Sequence, residues 1–216
     1  MSNPIDVYVF GSGGYAKEII SYIESDPEPQ MIVRGVISTE PFSSINDEYA
    51  RRHPVHDKVP VISRTKVGGA IRYVMAVGDP ELKRKFVRDN EDRWISYVSS
   101  RAFVSPFATL GRGSTVCPFG MLLGDGFTGR LCNINVGACV AHDNVLGDFS
   151  TLSPAVQLMG HVRTGTDCFF GTGAVVKPRV TLAPFTQVSM GAVVRKDIVE
   201  PHQTVYGDPA APREKR

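Results

Sequence analysis

His142 and Asp143 stand side by side in Val140-Ala141-His142-Asp143-Asn144, and Gly160 follows the histidine by eighteen residues. Imidazole is the side chain best suited to take a proton near neutral pH, and an adjacent carboxylate can fix its tautomer or stabilise the imidazolium. A glycine beside that ring leaves it room and presents a bare amide to a developing oxyanion. Together these groups could serve acyl transfer; the alternative is a turn histidine satisfied by its neighbours. A second set, Gly11-Ser12-Gly13-Gly14-Tyr15-Ala16, has the GxGxxA spacing that lets helix amides approach a phosphate. Gly78 and Asp79 end an apolar stretch, at the strand edge where open α/β sheets bind ligands.

The remaining candidates carry less chemistry. His53 and His56 fall in a polar loop and His202 follows a proline near the carboxyl end, so solvated side chains are expected. Cys117, Cys132, Cys139 and Cys168 show no CxxC metal spacing, and packing roles are expected for Cys132 and Cys168. A net charge of +2 gives no electrostatic case for nucleic acid or an anionic membrane. No apolar run approaches 18 residues and the start has no signal-peptide layout, so the expectation is a soluble cytoplasmic protein.

The element that positions His142 is a repeat. Every sixth residue from Val104 to Val194 is marked, and fourteen of these sixteen positions are large and apolar, the other two being Thr128 and Thr164. At 42% apolar content about seven would fall there by chance. Four places after each lies a small or β-branched residue or Asn144, as at Ser114, Gly120, Gly126, Cys132 and Ala138. A six-residue period implies a parallel β-helix, in which three hexads close a triangular coil of about 18 residues. Large residues fill the triangle and small ones fit its corners. The sixteen hexads predict about five coils. Such a coil leaves ends and a face uncovered, so an oligomer is expected.

Ahead of the repeat, a strand at Ile5–Phe10, the glycine turn and a helix from about Lys17 to Glu24 give the order of a dinucleotide-type unit. Further strands are expected near Met31–Ile37, Val59–Ile62, Tyr73–Val77 and Ile95–Val98. The short domain suits a mononucleotide or nucleotide-sugar better than a dinucleotide, with Glu40 as the one acid placed to hold a ribose. An alternative is a glycine turn that only packs helix on strand. Lys83, Arg84, Lys85 and Arg88 read as a solvated helix face. The division expected is residues 1–99, Rossmann-like, and 100–216, the β-helix with a carboxyl-terminal tail that frays at the end of Arg213 to Arg216.

Three segments carry a resemblance: Phe10 to Glu18, Asn135 to Phe149, and Val205-Tyr206-Gly207-Asp208-Pro209-Ala210. Together they resemble the left-handed β-helix sugar acetyltransferases, which include bacillosamine and perosamine N-acetyltransferases and sialic acid O-acetyltransferases. The resemblance covers essentially the whole chain. It implies acetyl-coenzyme A as co-substrate, a nucleotide-linked amino-sugar as acceptor, no metal, a cytoplasmic homotrimer and a part in polysaccharide biosynthesis. It also implies that His142 is the general base, Asp143 its acidic partner and Gly160 the amide facing the thioester carbonyl. By the same resemblance Gly173, Ala174, Ala192 and Pro209 lie along acetyl-coenzyme A, Asn135 at the sugar, and Gly11, Ser12, Gly13 and Gly14 at the nucleotide. Two departures stand out. Ser38-Thr39-Glu40 replaces an acidic pair, and Thr151 stands where relatives often have a second histidine. The rival readings are O-acetylation of a sialic acid or other sugar hydroxyl, a zinc carbonic anhydrase on the same helix, and a nucleotide-binding scaffold without turnover. The zinc enzyme needs three converging histidines, whereas the coils hold only His142 and His161.

Overall fold

Ile5–Phe10 (β1) is a β-branched and aromatic run and forms an inner strand of an all-parallel sheet. The structure is a computed structural model describing residues 4–11, 13–38, 55–57, 72–87 and 91–212. β1 pairs with Met31–Ser38 (β2), which in turn pairs with Val55–Asp57 (β3), and Tyr73–Met75 (β4) closes the other side of β1. Parallel neighbours need a crossover, which Gly14–Glu24 (α1) supplies between β1 and β2. α1 buries Ala16, Ile19, Ile20 and Ile23, the stripe of a 3.6-residue period. The helix starts at Gly14, earlier than the expected Lys17, because the turn glycines themselves make its first turn. His56 lies in β3 rather than in a loop. Ser12, Glu40, His53 and the strand expected at Val59–Ile62 lie outside the described residues.

The six-residue period becomes a coil with three flat faces. The first face carries rungs at Tyr97–Val98, Thr115–Val116, Asn133–Ile134, Thr151–Leu152, Phe169–Phe170, Gln187–Val188 and Thr204–Tyr206. Seven rungs span six coil steps, one more than the hexad count predicts. The strand expected at Ile95–Val98 belongs here: Tyr97 and Val98 pair with Thr115 and Val116, since Val98 already falls on the phase of Val104. The second face stacks six rungs from Phe103–Val104 to Val193–Val194, and the third stacks four from Phe127–Thr128 to Thr181–Leu182. Rungs match at 18-residue spacing, as in Asn133 with Thr151. At the end the step shortens, with Gln187 meeting Thr204.

Burial follows the size pattern. Leu122, Ile134, Val140, Leu146, Leu152 and Phe170 are fully enclosed, and the corner residues Cys132, Ala138, Ala174 and Ala192 are too. Burial raises the Cys117 and Cys132 thiols to about 12, so these cysteines are packing groups and not nucleophiles. Corner side chains also tie coils together: Asn144 donates to the Leu158 carbonyl at 3.0 Å and accepts from the Val162 amide at 2.6 Å. Beyond Val194 the chain stays structured as far as Pro212, and the fraying expected at Arg213 to Arg216 lies outside the described residues. Thr204–Tyr206 turns back through Gly207 to Ala210 and pairs antiparallel with Ala211–Pro212, while Arg195 and Asp208 form an ion pair at 2.8 Å.

Pro80–Val87 (α2) fastens the amino-terminal sheet to the first face. Asp79 accepts the Leu82 amide at 3.0 Å as its N-cap. Lys83 does not join a solvated face: it is 0% exposed, because the first face offers it a polar socket. Its ammonium donates to the Leu131 carbonyl at 3.0 Å, the Ser150 carbonyl at 3.2 Å and Thr151 Oγ1 at 2.7 Å. Thr151 passes the chain on to the Gly78 carbonyl at 2.7 Å, Asn133 donates to the Val77 carbonyl at 2.9 Å, and Tyr15 bonds Thr115 at 2.8 Å. Thr151, the departure from the relatives' histidine, is therefore a docking residue.

Three acceptors suit an ammonium, but burial disfavours charge and is the larger effect, drawing Lys83 down to about 7. The unfolded chain holds that proton until about pH 10.4, so between about pH 7 and pH 10 it binds more protons than the folded one. Stability of the wild type should rise over that window relative to Lys83→Met, by at most about 1.4 kcal/mol per pH unit. Urea midpoints of both proteins at pH 7 and pH 9 check this, and parallel pH trends would refute it.

Candidate functional site

His142 and Asp143 occupy the corner between the second and third faces. Asp143 has φ 61°, a left-handed conformation that aspartate tolerates better than most residues. Its amide donates to Asp125 Oδ1 of the preceding coil at 2.9 Å, which supports the turn. The bend sets Asp143 Oδ2 2.6 Å from His142 Nδ1. That hydrogen bond is the main cause holding the Asp143 carboxyl below the usual range; partial desolvation opposes it, and His161, His142 and Arg179 reinforce it. An ionised Asp143 takes the Nδ1 proton as a hydrogen bond, so the Nε2 lone pair is the free one.

Gly160 lies against this ring, and Gly124 lies against the Cβ and Cα of the same residue. A Cβ on Gly160 would stand 2.5 Å from His142 Cε1 and 2.7 Å from Nε2, and one on Gly124 would stand 2.8 Å from His142 Cβ. The imidazole thus rests over Gly160 of the following coil while its side chain stays 61% exposed. Among the described residues the Gly160 amide has no hydrogen-bond acceptor. The corner presents a basic nitrogen held by a carboxylate, with an unused amide beneath it: the components of general-base acyl transfer.

A cleft of about 820 Å³ opens on the other side of the coil, between the Gly78–Asp79 edge and the corner joining the third and first faces. Arg84, Asp167, Phe185 and His202 line it. Arg84 bonds Asp167 and covers the Phe185 ring at 4.9 Å, and His202 stacks on Phe185 at 4.3 Å with the planes 5° apart. His202 is exposed, as the sequence suggested, and one face of its ring rests on Phe185. Its position in the column of Phe149, Asp167 and Phe185, seventeen residues after Phe185, was the available signal.

The remaining candidates fall into separate places. Gly11 has φ 125°, and a Cβ there would lie 2.5 Å from the Ala76 carbonyl oxygen, so close sheet packing alone requires this glycine. A Cβ on Gly13 or Gly14 would meet nothing within 4 Å, and α1 has no side-chain cap; among the described residues the Gly14 amide is open, whereas the Ala16 amide bonds the Gly13 carbonyl at 3.1 Å. Asn135 sits at the corner between the first and second faces, one strand from His142, with Oδ1 accepting the Val136 amide at 2.7 Å. Gly173 shares that corner with φ 70°. The side chains of Ala174 and Ala192 point wholly into the core, so only their backbone could meet a ligand. Pro209 is exposed in the carboxyl-terminal turn. Sequence reasoning treated His161 only as a metal ligand that falls short; the structure places it against Asp143, at 3.5 Å.

The fold is shared over the whole chain with acetyltransferases of the nucleotide-sugar class. Perosamine N-acetyltransferase from Caulobacter crescentus, solved with CoA and GDP-perosamine, is 29% identical and superposes with a TM-score of 0.83 over 99% of each chain. A histidine-to-asparagine mutant of that enzyme gives 28% identity and a TM-score of 0.85 over 99% of each. The acetyltransferase domain of PglB from Neisseria gonorrhoeae, in complex with acetyl coenzyme A, matches 98% of this chain and 100% of its own at 24% identity and a TM-score of 0.83. No protein-family model and no curated protein sequence matches the chain. Among the described residues no helix is long and apolar enough to cross a membrane.

Proposed function

We propose that this chain is an acetyl-coenzyme A-dependent N-acetyltransferase acting on the 4-amino group of a nucleotide-linked amino-deoxysugar. The observation that carries the proposal is the His142–Asp143 pair, its free Nε2 pinned over Gly160, on a fold shared end to end with an enzyme solved with CoA and GDP-perosamine. The sugar amine attacks the thioester carbonyl carbon, forming the C–N bond while His142 Nε2 takes the amine proton. The Gly160 amide donates to the oxyanion. Collapse breaks the C–S bond, and the imidazolium returns the proton to the departing thiolate.

In this proposal acetyl-coenzyme A runs past Gly160 and along the backbone of Gly173, Ala174 and Ala192 towards Pro209. The nucleotide lies at the open amides of Gly13 and Gly14 and the edge at Gly78, with Asn135 near the sugar. Asp79, already spent as the cap of α2, serves this edge by shaping it. The amino-terminal sheet covers the first face, whereas His142 sits at the corner opposite that face. A sugar held by one chain therefore meets the base of another, which supports the homotrimer. The outward second-face ladder of Phe103, Met121, Cys139, Gln157, Val175 and Val193, apolar but for Gln157, is the surface for that contact.

Thiol release from acetyl-coenzyme A, screened against UDP-, GDP- and dTDP-linked 4-amino-sugars and free sialic acid, tests the assignment. Turnover with one amino-sugar nucleotide is expected. Turnover with sialic acid alone would transfer the case to O-acetylation.

A further inference from the structure

The same corner holds a donor that acyl transfer does not use. His161 lies eighteen residues, one coil, after Asp143, and its amide donates to the His142 carbonyl at 3.1 Å. It takes the same left-handed turn, with φ 61°. The two imidazoles stand edge to face, centroids 5.4 Å apart and planes 89° apart, with the Asp143 carboxylate between them. His142, Asp143 and His161 can each offer a ligand atom, and these atoms all lie within 4.8 Å of one another. Among the described residues no other trio of histidine, cysteine or acid side chains meets that distance.

We propose that His142, Asp143 and His161 form a binding site for a divalent first-row transition metal, zinc(II) foremost, and that the metal silences the base. Two imidazoles and one carboxylate are the nitrogen–oxygen set such ions take, with a remaining position for water. Bonds of about 2.0–2.1 Å in a tetrahedron put ligand atoms about 3.4 Å apart. His161 Nε2 and Asp143 Oδ2, at 3.5 Å, already have that spacing. His142 Nδ1 and Asp143 Oδ2, at 2.6 Å, open slightly as the metal replaces the proton between them. A search for three histidines overlooks this set because its third ligand is the carboxylate.

Silencing follows from electron counting. A neutral imidazole has one nitrogen lone pair, and once it binds a metal the other nitrogen carries the proton. Whichever nitrogen of His142 takes the ion, no lone pair remains to accept the amine proton. The silencing rests on the acyl-transfer proposal; the metal site itself does not.

Cobalt(II) titrated into the purified protein reads the site without any substrate. The expected result is the strong visible absorption of low-coordinate cobalt at one ion per chain, displaced by zinc. His161→Gln should lose that absorption while a remote control, His202→Gln, keeps it. Thiol release should fall on adding zinc and recover with a chelator, and the turnover of His161→Gln should not respond to zinc. Only the faint spectrum of hydrated cobalt in the wild type, or strong absorption that survives His161→Gln, would overturn the site. Cobalt binding with zinc-insensitive turnover would overturn the silencing, and would locate the fault in the assignment of the base.

Discussion

His142→Ala should lose at least about 100-fold in turnover, the lower end of what a positioned general base contributes. The histidine side chain is 61% exposed and lies outside the packed triangle, so its removal opens no core cavity. Alanine keeps the Cβ that Gly124 already accommodates. The coil should therefore keep its thermal midpoint and its association state while thiol release collapses. A near-normal rate would show that the proton leaves by another route. Asp143→Asn should share part of the defect, since an amide can present its nitrogen to Nδ1 and so favour the wrong tautomer.

Gly160→Ala should match that loss without touching any ionisable group. The new Cβ would sit 2.5 Å from His142 Cε1, a distance that no carbon pair tolerates, so the ring must move, and Asp143 Oδ2 holds it by Nδ1 at 2.6 Å. The imidazole must swing off the carboxylate or the coil must part. A misplacement of about 1 Å at a reacting group can cost about 100-fold. The cause is separable by a double-mutant cycle: with His142→Ala present there is no ring to displace, so adding Gly160→Ala should produce almost no further loss of turnover or stability. Full additivity would mean that Gly160 acts independently of the ring.

The coil was legible because its information is one-dimensional. Large residues at Val116, Leu122 and Ile134 and small ones at Ser114, Gly120 and Cys132 state a period, and the period alone stacks residues eighteen apart. That is why the sequence alone places His142 over Gly160, and by the same rule Asp143 over His161. The glycine turn at Gly11 was legible too, but its cause was not. A backbone oxygen at Ala76 crowds it, and nothing near it in sequence shows that contact.

What remained hidden involves pairings that no local pattern encodes. Lys83 sits in an apparently solvated run of charges, yet it is buried because carbonyls of Leu131 and Ser150 and the hydroxyl of Thr151 converge from two coils. Tyr97 and Val98 join the coil rather than the sheet before it because a rung at Thr115 and Val116 accepts them. His202 stays exposed, yet one face of its ring rests on Phe185. The sequence by itself determined the repeat, the corner and the His142–Asp143 pair upon it, since side-chain size at a fixed spacing is enough to build a coil. Only the tertiary structure decided which face the amino-terminal sheet covers. That choice depends on hydrogen-bonding groups far apart in the chain, which become partners only after each part has folded.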